Sequence, residues 1–246
     1  MRPALPLTLA ALLACAGPAA AQLRSEALGL SFTALPVAGS DYLFRGISQT
    51  RSRPALQLTL EAVQDSGFYL GAFGSQVAFA GSDARQELDL SAGFRFDALG
   101  IAWDIGAVHY GYPGHDRPAG GYRLDYVEAA LKASRGIGPV TALASVNLSP
   151  DFFARSGLAV ALEGGADIAL PGEVTLSGRL GHQWIEREAR FGAPDYLWYS
   201  IGLSRELAQG VSLAASYAGT DIGRADCGGG QKICDNRFML SLSRRF

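Results

Sequence analysis

The sequence predicts an all-β chain, a transmembrane antiparallel up-and-down β-barrel of about 12 strands that follows a cleaved signal peptide. Three observations lead there. Apolar residues recur with period two along most of the chain, short and long connections alternate, and the first segment has the layout of an export signal.

The chain divides into residues 1–21, the signal peptide, and 22–246, the barrel. Met1-Arg2 gives a positive start, residues 4–14 are apolar apart from Thr8, with Pro6 among them, and Ala19-Ala20-Ala21 supplies small residues before a cleavage at Gln22. A membrane anchor would need about 20 consecutive apolar residues, more than this run provides. A lipoprotein signal, Leu12-Leu13-Ala14 before Cys15, is the other alternative, but Leu13 is unusual at its position. Removing the leader takes away Arg2 and leaves 20 Lys+Arg against 23 Asp+Glu, a net charge of −3. That balance argues against a nucleic-acid partner, which would want a basic face.

The strands follow in order. The first lies within residues 28–45, with Pro36 as a candidate bulge. In the second, Leu56, Leu58, Leu60 and Ala62 oppose Gln57, Thr59 and Glu61. Residues 68–79 form a weaker third. Next, Leu88, Leu90, Ala92, Phe94 and Phe96 share one face, with Glu87, Asp89, Ser91, Gly93 and Arg95 on the other. A strand separates two such sets completely, whereas a helix scatters them. Ile101, Trp103, Ile105 and Ala107 then oppose Asp104 and Gly106; residues 125–134 and 140–148 are weaker strands. The same alternation marks Leu158 with Val160 and Leu162, Val174 with Leu176 and Leu180, Leu197 with Tyr199, Ile201 and Leu203, and Val211 with Leu213 and Tyr217. The last strand spans 238–246, with Phe238, Leu240, Leu242 and the terminal Phe246 in phase.

Short turns at 64–67, 97–100, 135–139, 171–173 and 208–210 interleave with longer loops at 46–53, 80–85, 111–123, 149–156, 185–195 and 219–237. That is the outer-membrane pattern, with short turns on the periplasmic side and both termini there. A soluble β-sandwich also alternates, but it would then carry an unusually Gly- and Ser-rich surface. Aromatics near strand ends, Tyr42, Phe44, Phe68, Tyr69, Phe94, Phe96, Tyr110, Tyr112, Tyr196, Trp198 and Tyr199, are expected to form interfacial girdles.

The phase places Asp41, Arg45, Glu61, Glu87, Asp89, Arg95, Asp104, Glu128, Lys132, Glu163, Asp167, Arg179 and Arg205 on the lumen face as pore-lining candidates. Eight of these thirteen are acidic, which favours cations weakly. Such a lining either borders an open aqueous path or pairs across the barrel and closes it. Asp41 and Arg45 form either a constriction pair or a local salt bridge. Cys227 and Cys234 fit a disulfide in an exported chain better than a metal site, since no His lies near them. Gly228-Gly229-Gly230 reads as a loop tip.

An enzyme reading lacks a candidate base. His109 and His182 fall on the lipid face and His115 in a loop, and no nucleophile elbow, phosphate loop or metal motif is present. No catalytic residue, metal or cofactor is expected. The expected partners are outer-membrane lipid and lipopolysaccharide, small solutes, and the assembly machinery that reads the strand ending at Phe246. Arg244 departs from the usual pattern of that strand.

Ser40-Asp41-Tyr42-Leu43-Phe44-Arg45-Gly46-Ile47-Ser48-Gln49-Thr50, followed by Pro54-Ala55-Leu56-Gln57, resembles the opening signature of the TorF-type porins, proteobacterial outer-membrane proteins long of unknown function. Ser66-Gly67-Phe68-Tyr69-Leu70-Gly71, Glu87-Leu88-Asp89-Leu90, Leu162-Glu163-Gly164-Gly165-Ala166-Asp167 and residues 243–246 extend the resemblance over nearly the whole barrel; Phe73 stands where the family pattern has Trp. The resemblance implies a passive outer-membrane channel for small hydrophilic solutes or ions and names no solute. A structural or adhesive barrel with a plugged lumen and partner-binding outer loops is the alternative.

Overall fold

Alternating sequences of this kind must hide a polar face and satisfy every backbone donor and acceptor, and closure of the sheet does both. The computed structural model describes residues 23–116 and 121–246. The signal-peptide segment 1–21 and the cleavage before Gln22 lie outside them. A short β1 (Leu23–Ser25) folds back on β2 (Leu30–Gly39), the first wall strand. Two small strands, β3 (Leu43–Phe44) and β4 (Ile47–Ser48), form a separate hairpin. The wall continues through β5 (Ala55–Gln64), β6 (Phe68–Gln76), β7 (Gln86–Ala98), β8 (Ile101–Gly111), β9 (Tyr126–Ile137) and β10 (Val140–Ser149). It is completed by β11 (Ala159–Leu170), β12 (Val174–Ile185), β13 (Tyr196–Glu206), β14 (Val211–Thr220) and β15 (Arg237–Arg244). Each wall strand pairs antiparallel with the next, and β15 returns to β2, so twelve strands close the barrel. A four-residue helix α1 (Glu188–Phe191) sits in the loop after β12.

The sequence turns locally where the wall needs it to. Leu99 and Gly100 both take positive φ, 57° and 71°, the two-residue hairpin geometry that matches strand twist. Pro36 makes no bulge: β2 is continuous and Pro36 faces Leu58 of β5 in register. Ala34 and Ser40 direct their N–H groups to Phe246 and Leu240 of the closing seam. The same backbone phase turns the donorless Pro36 toward that seam, where the ladder tolerates one missing bond.

The two faces of the wall are inverted relative to a water-soluble fold. Leu90, Ile105, Leu180 and Ile201 point outward and are 56%, 51%, 57% and 56% exposed, while Glu128 inside is 1% exposed. No helix among the described residues is long and apolar enough to cross a membrane; the wall strands, mostly 9–13 residues long, have the length to do so. Arg205 departs from its expected position. It pairs with Val174 and Leu213 and shares the outward face of Ile201 and Leu203, near the short-turn rim. Its odd number already puts it in phase with those residues, and a rim position lets its guanidinium reach the interface.

An Ile201→Arg variant places a charge at mid-strand on the outward face. It is expected to lose about 2–4 kcal/mol of stability in lipid vesicles, read from urea unfolding. Parental stability would show that this face does not meet hydrocarbon.

Candidate functional site in the barrel interior

A twelve-stranded barrel is too wide for its wall side chains alone to fill, so what occupies the interior decides what it can do. The two halves are built differently. In the half nearer the short turns, charges sit in partly exposed pairs. Arg95 of β7 bridges Glu61 of β5, at 3.0 and 2.5 Å, and Asp104 of β8, at 3.2 Å. Tyr69 donates to Asp104 at 2.8 Å and lies under the Arg95 guanidinium. Arg179 grips Asp167 with two bonds of 2.8 and 2.9 Å. Lys132 stands in register with Asp104 and Ser145. Arg95, Asp104, Lys132, Glu163 and Arg179 border a cavity of about 500 Å³. The Arg95 side chain is 41% exposed, so these pairs are screened and each is worth about 0–1 kcal/mol.

The half nearer the long loops is filled. After Gly39 the chain leaves the wall and the β3–β4 hairpin folds into the lumen. Asp41 organises its base by accepting from the Tyr42 N–H at 2.8 Å, Ser48 Oγ at 2.7 Å and Thr50 Oγ1 at 2.5 Å. Arg237 of β15 adds an ion pair to Asp41 at 2.8 Å. The tip is Arg45-Gly46, with φ of 46° and 80°. A Cβ on Gly46 would lie 2.6 Å from the Gly219 carbonyl of β14, so only glycine lets the tip approach the wall so closely. From this tip Arg45 reaches across the lumen. Its Nη1 and Nη2 each donate to Glu128 of β9 at 2.8 Å, and Nη1 also donates to Gln183 of β12 at 2.8 Å. Tyr110 and Asn147 donate to the same carboxylate at 3.2 and 3.4 Å. The pair is 9% and 2% exposed. Removing one partner of such a buried pair costs about 3–5 kcal/mol, because the other charge is left uncompensated.

Aromatic rings pack around the clamp. Phe44 meets Tyr110 at 5.6 Å, Tyr110 stacks on Tyr126 at 4.4 Å, and Tyr126 meets Phe152 at 4.7 Å. Trp198 lies flat over Gly181, where a Cβ would come within 2.1 Å of the ring, and its Nε1 donates to Glu163 at 2.9 Å.

Of the thirteen residues expected to line the lumen, Glu61, Glu87, Asp89, Arg95, Asp104, Glu128, Lys132, Glu163, Asp167 and Arg179 project inward from wall strands. Asp41 and Arg45 are inside but belong to the inserted segment. They do not pair with each other: Asp41 holds Arg237 and Arg45 holds Glu128. Arg205 faces outward, as described above. The aromatics near strand ends do not all form an interfacial girdle. Phe68, Phe94, Phe96 and Tyr199 face outward, whereas Phe44, Tyr69, Tyr110, Tyr112, Tyr196 and Trp198 face the interior. Gln183, Arg237 and Trp198 were not among the expected site residues. Each sits in the inward phase at a long-loop strand end, and that phase is the signal that could have identified it.

The loops carry two further features. Cys227 and Cys234 form a disulfide, buried against Ile222 and Ile233. Ser82, Asp83 and His115 meet in the mouth, and the hydrogen bond from His115 holds the Asp83 carboxyl below its ordinary range. Both partners contact Nδ1 of the ring, so no proton path runs from serine through the imidazole to the carboxylate.

Solved structures share this fold. The KdgM porin in complex with disordered oligogalacturonate superposes with a TM-score of 0.58 at 8% identity, over 87% of this chain and 98% of that one. The NanC porin gives 0.60 at 7% identity, over 86% and 98%. The COG4313 outer membrane channel from Pseudomonas putida F1 gives 0.54 at 10% identity, over 94% and 100%. The fold is that of outer-membrane porins. No curated protein matches the chain in sequence. The family model described as "Bacterial protein of unknown function (Gcw_chp)" matches residues 26–246, and the chain belongs to that family.

Proposed function

We propose that this protein is an outer-membrane channel of narrow bore, through which small hydrophilic solutes or ions diffuse passively and in which the β3–β4 hairpin forms the constriction. One observation carries the reading: a closed wall with leucines outside surrounds a charged cavity of about 500 Å³ in the half nearer the short turns, below the Arg45 tip. The porin fold and the TorF-type resemblance support it, as does an export signal at residues 1–21. Outer-membrane lipid and lipopolysaccharide then surround the wall, and the assembly machinery reads the strand ending at Phe246 before the seam closes. The alternative, a structural barrel with a plugged lumen and adhesive loops, is favoured by the buried Arg45–Glu128 clamp and its aromatic packing.

Conductance of the refolded protein in planar bilayers separates the two. Steady small steps in the parent and larger ones in Arg45→Ala are expected, because the lost pair frees the hairpin. A well-folded parent and variant that both stay silent would reject the channel. A conducting pair with identical steps would reject the hairpin as the constriction.

Ion preference follows from the interior charges. Among the described residues Glu87, Asp89 and Glu163 form no ion pair, against Lys132 as the one unpaired basic residue of the mid-barrel wall. With Glu87, Asp89 and Glu163 ionised, a modest cation preference is therefore expected from the reversal potential in a KCl gradient; a clear anion preference would contradict it.

A further inference from the structure

Above the inserted hairpin, all six outer connections contribute to one cavity of about 340 Å³, at the lower end of the roughly 300–1,000 Å³ typical of small-molecule sites. We propose that this cavity is a binding site for a small organic cation, an ammonium group carried on an apolar or aromatic body. The inference concerns binding in the outer mouth and does not depend on the barrel conducting.

The chemistry of the lining points to that class. Phe44, Phe79, Tyr112, Phe153 and Phe191 present aromatic surface to the space, and the faces of such rings attract cations. Glu87 is the one charged side chain among the described residues that line it. This carboxylate is 4% exposed. Its Oε1 accepts from the Tyr112 hydroxyl at 3.4 Å, the Tyr42 hydroxyl interacts with the same carboxylate, and no well-aligned donor reaches its Oε2. Asp89, two residues on and on the same inward face, leaves Oδ1 without a partner as well. Two buried acids are costly to ionise without a cation, and an ammonium group arriving between the rings supplies the charge and donor that stabilise the carboxylate form. An anion would find no cationic partner in the described lining, and a neutral polyol would bring no charge to pair with an ionised Glu87. The walls are held in place before any ligand arrives: the Arg45–Glu128 clamp fixes the floor, and the Cys227–Cys234 disulfide staples the loop that forms part of the roof. Such preorganisation lowers the ordering cost of binding.

The test is calorimetric titration of the refolded full barrel in detergent with phenylethylammonium, phenylacetate and 2-phenylethanol. The ammonium is expected to bind at least about tenfold more tightly than the other two, the usual effect of one hydrogen bond to a charged group. Glu87→Gln should erase that preference while leaving the barrel's circular dichroism and heat-modifiable gel shift intact. Phe153→Ala, on an outer loop, should weaken the ammonium more than the other two and decides the matter if the Glu87 variant does not fold. Equal or tighter binding of phenylacetate or phenylethanol, no binding of any of the three, an ammonium preference that survives Glu87→Gln, or unchanged affinity in Phe153→Ala would overturn the proposal.

Discussion

Everything in this molecule depends on an unbroken ring of backbone hydrogen bonds. A strand edge left open in hydrocarbon would expose a row of unsatisfied N–H and C=O groups at several kcal/mol each, so the twelve strands must meet end to end. The seam between β15 and β2 is where the chain's two ends do this. Ser241, Leu242 and Ser243 pair with Gly39, Ala38 and Val37, and the ladder resumes beyond them with two bonds between Phe246 and Ala34. The terminal phenylalanine is thus part of the closure through its backbone as well as part of the lipid face through its ring. Arg244, in phase with the outward residues of the same strand but only 3% exposed, lays its guanidinium 4.7 Å from the Phe246 ring centroid.

Closure with twelve strands creates a second problem, a lumen wider than its own side chains can fill. The chain solves it differently at the two ends. Near the short turns the interior keeps a cavity, and charges pair at low energetic stakes. Near the long loops an inserted segment fills the space, and the stakes rise. Irregular backbone inside a barrel is tolerated only where its polar groups find partners, and here they do. Gln49 donates to the Tyr42 carbonyl within the hairpin, Ser48 donates to Ile233 of the last loop, and Ala78 of the second loop donates to Gln49. The hairpin is therefore held to two neighbouring loops as well as by its arginine tip.

The strand content of the fold was legible because period two is a local signal. Glu87 to Phe96 announces its two faces within a single strand, and the register between neighbours follows from turns of two or three residues. The inserted hairpin was not legible, because nothing local distinguishes a loop that folds inward from one that extends into solvent. Its anchors are far apart in sequence: Arg45 meets Glu128 83 positions later and Gln183 138 positions later, and Asp41 meets Arg237 across 196. The aromatics show a different kind of miss. Tyr110 is in phase with Asp104 and Trp198 with Ser200, so parity alone places both inside. Their position near strand ends suggested a girdle, and the periodic signal was the better guide. Arg205 reverses the error, since its charge suggested the lumen while its parity placed it outside.

Residues 40–50 form the segment that enters the lumen, and its chemistry explains why those residue types occur together. Asp41 is needed at the base to fix Ser48, Thr50 and Arg237; Arg45 needs the tip to reach both Glu128 and Gln183; Gly46 must be small to pass Gly219. None of the three works without the others, because a tip displaced by even an ångström loses the bidentate geometry that offsets the burial of both charges. The wall residues carry matching constraints at Glu128, Gln183 and Arg237, on three different strands. The order of the barrel's long-loop half thus rests on a few side chains that couple one loop to three points around the lumen, while the strands provide the frame that keeps those points at fixed distances.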